Sequence, residues 1–204
     1  MTKIKNFRIQ LRAREIARLL KAKAKLQITP ALEASIEHAI SDSRRTLQPA
    51  AVYTTLTRST AEKATPLPLA DPAVAVSAMA VTLGPGLEDD IAGASGRQDA
   101  LQSALLSALR DEALGQAVQF IMRLIEGQAK EEECELSAPC EAGEGVLLGS
   151  LSALLGAHRI GIPFDKDTPT LPPYARIVWT AWSPKVRAKA PARPAGRPDK
   201  AAVS

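Results

Sequence analysis

The chain has 204 residues, of which 46% are hydrophobic, 24% charged and only 3% aromatic. That is enough to bury an apolar core without disulfide staples. No stretch approaches the ~18 or more uncharged apolar residues of a membrane span, and the scarcity of rings that could stack on bases argues against nucleic acid as a partner. The formal net charge of +4 is unevenly spread: residues 1–25 hold nine Lys/Arg against Glu15, residues 184–204 hold six against Asp199, and the body between them is net acidic.

Ile9, Leu11, Ile16, Leu19 and Leu20 among basic residues predict an amphipathic helix over 8–24. A second helix is expected from Thr29, an N-cap before Pro30, through Leu32, Ile36 and Ile40 to about Leu47, where Pro49 stops it. Residues 51–57 are rich in β-branched side chains and predict a strand, and 62–73, with three prolines, a connection. The apolar run 74–83, bounded by Pro72 and Gly84, predicts a buried strand, and Gly84-Pro-Gly opens a short helix with Glu88, Asp89 and Asp90 in its first turn.

From Asp99 to about Glu126, Leu101, Leu105, Leu109, Ala113, Ala117, Ile121, Leu124 and Ile125 predict one long, deeply packed helix. An acidic loop carrying Cys134 and Cys140 then leads to an apolar helix over Val146 to Gly156, with Gly156 as its C-cap. Residues 159–164 and 174–182 predict two strands joined by a Pro-rich crossing. Helices, strands, helices, strands in that order indicate an α+β fold. Residues 184–204, Pro/Ala-rich and basic, are expected to be a disordered tail.

Fingerprints for nucleotides are missing: Gly84-Pro-Gly86 and Gly143-Glu-Gly145 lack the spacing and the following Lys-Ser/Thr. His38 and His158 have no nucleophile motif beside them, so a solvent-facing and a helix-end histidine are expected. Cys134 and Cys140 flank a Pro turn that could close a small disulfide or offer a thiolate, but the surrounding glutamates would raise a thiol pKa. Two incidental cysteines on an exposed loop are the favoured expectation, and two are too few for a closed zinc site. The first residues lack the ~7–15-residue apolar core of a secretory signal, so the cytoplasm is the expected compartment, with an organellar transit peptide as the alternative for residues 1–25.

The ordered series of Glu15-Ile-Ala-Arg-Leu-Leu, Leu47-Gln-Pro-Ala-Ala-Val-Tyr, Ala80-Val-Thr-Leu-Gly-Pro-Gly-Leu-Glu-Asp-Asp-Ile, Leu151-Ser-Ala-Leu-Leu-Gly and Ile160-Gly-Ile resembles the activation domain of cobalamin-dependent methionine synthase over about residues 12–182. The resemblance implies a curved antiparallel sheet packed with helices, including one long central helix. It also implies a task in corrinoid maintenance, because that domain binds S-adenosylmethionine and caps the corrinoid carrier while oxidised cobalt is reduced and remethylated. Cobalamin itself would then come only through a partner, a corrinoid-binding protein or methyltransferase.

Carried over residue by residue, the family's S-adenosylmethionine loop falls at Glu135, Ser137, Ala138 and Cys140, with Glu135 in place of an arginine and Ala138-Pro139-Cys140 at its turn. A family glutamate of the long helix falls at Gly115 or Gln116, and the family's Thr-Glu-Ser segment at Asp165-Lys166-Asp167. A carboxylate in place of an arginine works against a ligand carboxylate. The expectation is therefore an accessory protein of corrinoid-dependent methyl transfer with diverged cofactor contacts; the alternative is a non-catalytic interaction module that has lost S-adenosylmethionine.

Overall fold

The protein is described by a computed structural model covering residues 1–143, 145–163 and 170–185. Strands β1 (Thr2–Lys5), β2 (Ala50–Thr57), β3 (Ala75–Thr82), β4 (Cys134–Leu136), β5 (Cys140–Glu141) and β6 (Ala175–Pro184) form one sheet of order β1-β2-β3-β6-β4, with β5 also on β6. Every pairing is antiparallel. The helices are α1 (Ala13–Ala24), α2 (Pro30–Ser43), α3 (Arg58–Ala64), α4 (Gly86–Gly96), α5 (Ala100–Glu131) and α6 (Val146–Leu155). The architecture is the expected α+β one.

Both faces of the central strands are covered, which is why β3 reads as an almost unbroken apolar run, interrupted by Ser77 and ending in Thr82. On one face Val52, Val76, Ala78, Ala80, Ile177 and Trp179 pack under Leu148, Leu151 and Leu155 of α6 and Ala61 of α3. On the other, Ala51, Tyr53, Met79, Val81, Val178 and Trp182 pack under the C-terminal half of α5. A third cluster joins Ile16 and Leu20 of α1, Ile36 and Ile40 of α2, and Leu87 of α4 to Leu105 and Leu109 in the N-terminal half of α5.

The 32 residues of α5 span about 48 Å at ~1.5 Å per residue, long enough to serve both clusters. Its apolar residues recur every four positions, and on a helix of ~3.6 residues per turn such a row drifts by about 40° per step. Leu105 and Ile121 therefore point about 160° apart, one toward the other helices and one toward the sheet. Leu101 and Leu124, expected in the stripe, are 49% and 37% exposed. Leu124 lies off the row that Ile121 and Ile125 turn to the sheet.

Several expectations need correction. The first helix starts at Ala13, and Phe7 to Arg12 is extended, because Ile9 and Leu11 alternate with exposed Arg8 and Gln10 at the period of a strand. β1 pairs with β2 and was not expected. The second helix ends at Ser43, short of Leu47, and Arg58–Ala64 is helical, extending into the expected connection. The strand expected over 159–164 does not form among its described residues: Ala157–Ile160 is a 3-10 helix that takes in its start, and Gly156 and Gly161 at either end adopt left-handed φ values of 57° and 80° that turn the chain. The expected loop after α5 contains β4 and β5. The tail from residue 186 onward, and Asp165-Lys166-Asp167, lie outside the described residues.

Candidate functional site

The loop singled out by the sequence runs along the free edge of β6. Leu136 stands opposite Trp182 and Cys140 opposite Trp179, so four steps on the loop span three on β6, a one-residue bulge. Ser137 holds the bulge in place. Its amide donates to the Ala181 carbonyl at 2.9 Å, and its Oγ accepts from the Ala181 amide at 3.0 Å, taking the role a ladder carbonyl would have had. Its own carbonyl accepts from Oγ1 of buried Thr180 at 2.8 Å. Glu135, Ala138, Pro139 and Cys140 are exposed on this edge.

The extra residue also separates the two cysteines. Six residues apart on a regular strand, they would share a face; the bulge turns Cys134 toward α5, where it is buried, and leaves Cys140 exposed opposite Trp179. Cys134 is thus not on the exposed loop where it was expected. Both thiols are free, and side chains on opposite faces of a sheet cannot be bridged. His38 is exposed with Nε2 3.1 Å from Asp42, and His158 is exposed in the 3-10 helix. Among the described residues no group of three or more His, Cys, Asp or Glu could hold a metal ion.

Sequence reasoning missed the one buried carboxylate among the described residues. Glu112 on α5 is 5% exposed and takes a two-point contact from Arg12, Nε to Oε1 at 2.8 Å and Nη2 to Oε2 at 3.3 Å, while Gln116 donates to Oε1 at 3.0 Å. The hydrogen bond and the charge of Glu112 hold the Arg12 guanidinium above its ordinary pKa. Glu112 thus lies about one turn before Gly115 and Gln116 and is already paired. Its available sequence signal was an acid beside the apolar row, between Leu109 and Ala113.

Further charges tie the helices together. Arg110 is flanked by Glu88 of α4 at 3.0 Å and by Asp111 at 3.2 Å, and Lys23 of α1 reaches Asp111. Burial pulls the Arg110 pKa down, but the hydrogen bond to Glu88 and the two nearby carboxylates leave it raised overall. These residues position helices and carry no nucleophile–base arrangement.

Two open clefts lie elsewhere. One of about 610 Å³ separates α2 from α4 and is lined by His38, Asp42, Asp89 and Arg97 among others. The second, of about 850 Å³, lies beside residues 6–11, with Ile40, Arg44, Leu47 and Pro49 on its other wall. Neither is lined by residues 135–140. No described helix is long and apolar enough to cross a membrane.

Against protein-family models the chain has no match, and against curated proteins it has none. Among solved structures it is similar to the MetH reactivation domain crystallised with AdoHcy, with a TM-score of 0.56 and 11% sequence identity over 93% of this chain and 80% of that one. The fold is that of the MetH reactivation domain, as the sequence resemblance implied.

Proposed function

We propose that this chain is an accessory protein of corrinoid-dependent methyl transfer, a reactivation-domain fold that meets a corrinoid-carrying protein without a competent grip on S-adenosylmethionine. The observation that carries the first part is the shared fold over nearly the whole chain. A domain of that shape, docked over a corrinoid, would act by enclosing the cofactor and excluding water.

The second part rests on the edge of β6. A ligand carboxylate held at residues 135–140 would meet the Glu135 carboxylate, and the Ser137 hydroxyl and carbonyl are already committed to Ala181 and Thr180. Among the described residues the loop is exposed and lines neither of the two clefts. The same observation favours the second reading, a docking module with no chemistry of its own.

Calorimetric titration with S-adenosylmethionine tests the ligand claim. The wild type is expected to give no saturable heat, and Glu135→Arg to gain affinity, since one charge-assisted pair contributes about 1.5–3 kcal/mol. Tight wild-type binding that Glu135→Arg weakens would overturn it. Sedimentation of the chain with a corrinoid-loaded methyltransferase in its Co(II) state, followed in the cobalamin absorption band, tests the partner claim. Comigration is expected, a chain that sediments alone at high micromolar concentration refutes the assignment, and equal binding to corrinoid-free protein selects the second reading.

A further inference from the structure

Between β1 and α1 the chain is extended, with Phe7 buried, Arg8 exposed, Ile9 half-buried, Gln10 exposed and Leu11 half-buried. Both ends of this segment are fastened. Asn6 donates its amide to the Pro49 carbonyl at 2.8 Å, Phe7 stacks on Phe120 at 4.6 Å between ring centroids, and Arg12 is held by Glu112. Yet among the described residues no backbone amide or carbonyl from Phe7 to Leu11 makes a hydrogen bond. A strand-like segment fastened at both ends but unpaired presents its donors and acceptors to whatever lies alongside it.

What lies alongside is the 850 Å³ cleft, whose far wall is Ile40, Arg44, Leu47 and Pro49. Its apolar side chains alternate with two guanidinium groups, Arg8 on the segment and Arg44 at the end of α2, and among the described residues neither has an ion-pair or hydrogen-bond partner for its side chain. The first 25 residues as a whole carry a large positive excess.

We infer that this cleft takes an extended acidic peptide segment of a partner protein, which adds to Phe7–Leu11 as a strand. The backbone of the segment supplies the hydrogen bonds, the apolar wall receives every second side chain of the peptide, and Arg8 and Arg44 select carboxylates on the others. The chain's own tail is basic and does not match this charge. The cleft lies by β1, at the opposite edge of the sheet from residues 135–140, so its occupation does not depend on the corrinoid assignment.

Fluorescence anisotropy with a labelled eight-residue peptide of alternating Glu and Val tests the inference, alongside a Lys-Val counterpart and a Glu-Val version N-methylated on alternate amides. The acidic peptide should bind at least about tenfold more tightly than either control, and Arg8→Glu with Arg44→Glu should remove at least about tenfold of that affinity. Both arginines are solvent-facing, and an unchanged circular dichroism melt verifies that the variant folds. Equal affinity for the N-methylated peptide would refute strand addition. Equal affinity for the Lys-Val peptide, tighter binding to phosphatidylserine vesicles, or self-association that consumes the cleft would each overturn the assignment.

Discussion

The two ends of α5 are anchored in differently built halves. At its N-terminal end α1, α2 and α4 gather around Leu105 and Leu109, and the polar groups between them are charged pairs in which at least one partner reaches solvent: Arg110 with Glu88, Lys23 with Asp111, Arg12 with buried Glu112. At its C-terminal end α5 lies on the sheet, where the enclosed polar groups are neutral. Trp182 Nε1 donates to Ser77 Oγ at 2.8 Å, and Thr55 Oγ1 lies 2.7 Å from the same oxygen. A helix-on-helix seam leaves its margins open to water, so charges can pair there at little desolvation cost; a sheet covered on both faces admits only groups that satisfy one another inside.

The comparison breaks most readily at α5 itself. Leu109→Ala and Ile121→Ala, both at fully buried positions, should each cost about 2–5 kcal/mol in denaturant melts. Both tryptophans lie in β6, so their fluorescence reports on the sheet half alone. If α5 makes the halves one cooperative unit, Leu109→Ala shifts the tryptophan transition as far as the far-ultraviolet dichroism. Separate transitions would mean that the halves unfold independently.

Smaller effects sharpen it. Ser77→Ala leaves the Trp182 indole N–H without its acceptor in a dry interior and should cost about 1–3 kcal/mol. A cost near zero would mean that water reaches this side of the sheet. Ser137→Ala removes the hydroxyl that stands in for a ladder carbonyl, a loss of about 0.5–1.5 kcal/mol, with faster amide exchange at Ala181 as its local signature. Glu131→Gln, in the last turn of α5, should raise stability by about 0.3–1 kcal/mol, because a carboxylate there opposes the helix dipole. Differential scanning calorimetry resolves the sign, and a lowered Tm would mean that Glu131 has a compensating partner.

The comparison also explains what could be read in advance. Elements that bury a periodic set of side chains announced themselves: α2 from Thr29-Pro30 and its i, i+4 leucine and isoleucines, β3 from its apolar run, and β6 from Ile177, Val178 and the tryptophans. Elements held mainly by their backbones did not. β1, β4 and β5 are two to four residues long and sit at sheet margins, where pairing depends on which strand happens to be beside them.

The candidate site divides the same way. Its loop could be placed between α5 and α6 from turn chemistry and charge, and the conflict of Glu135 with an anionic ligand followed from the resemblance to the activation domain. That the Ser137 oxygens are spent on Thr180 and Ala181, and that one extra residue turns Cys134 and Cys140 to opposite faces, follows from the register against a strand some forty residues later.

Sequence by itself determined the α+β class, the long helix and the order of the main elements, because these follow from local periodicity, caps and breakers that act within a few turns of chain. Only the tertiary structure decided which face of α5 meets which half, that Arg12 and Glu112, a hundred residues apart, are partners, and that Phe7–Leu11 runs unpaired beside an open cleft. Those outcomes depend on long-range contacts between groups that carry no mark of one another in the sequence, and they form only when the folded chain brings the groups within hydrogen-bonding distance.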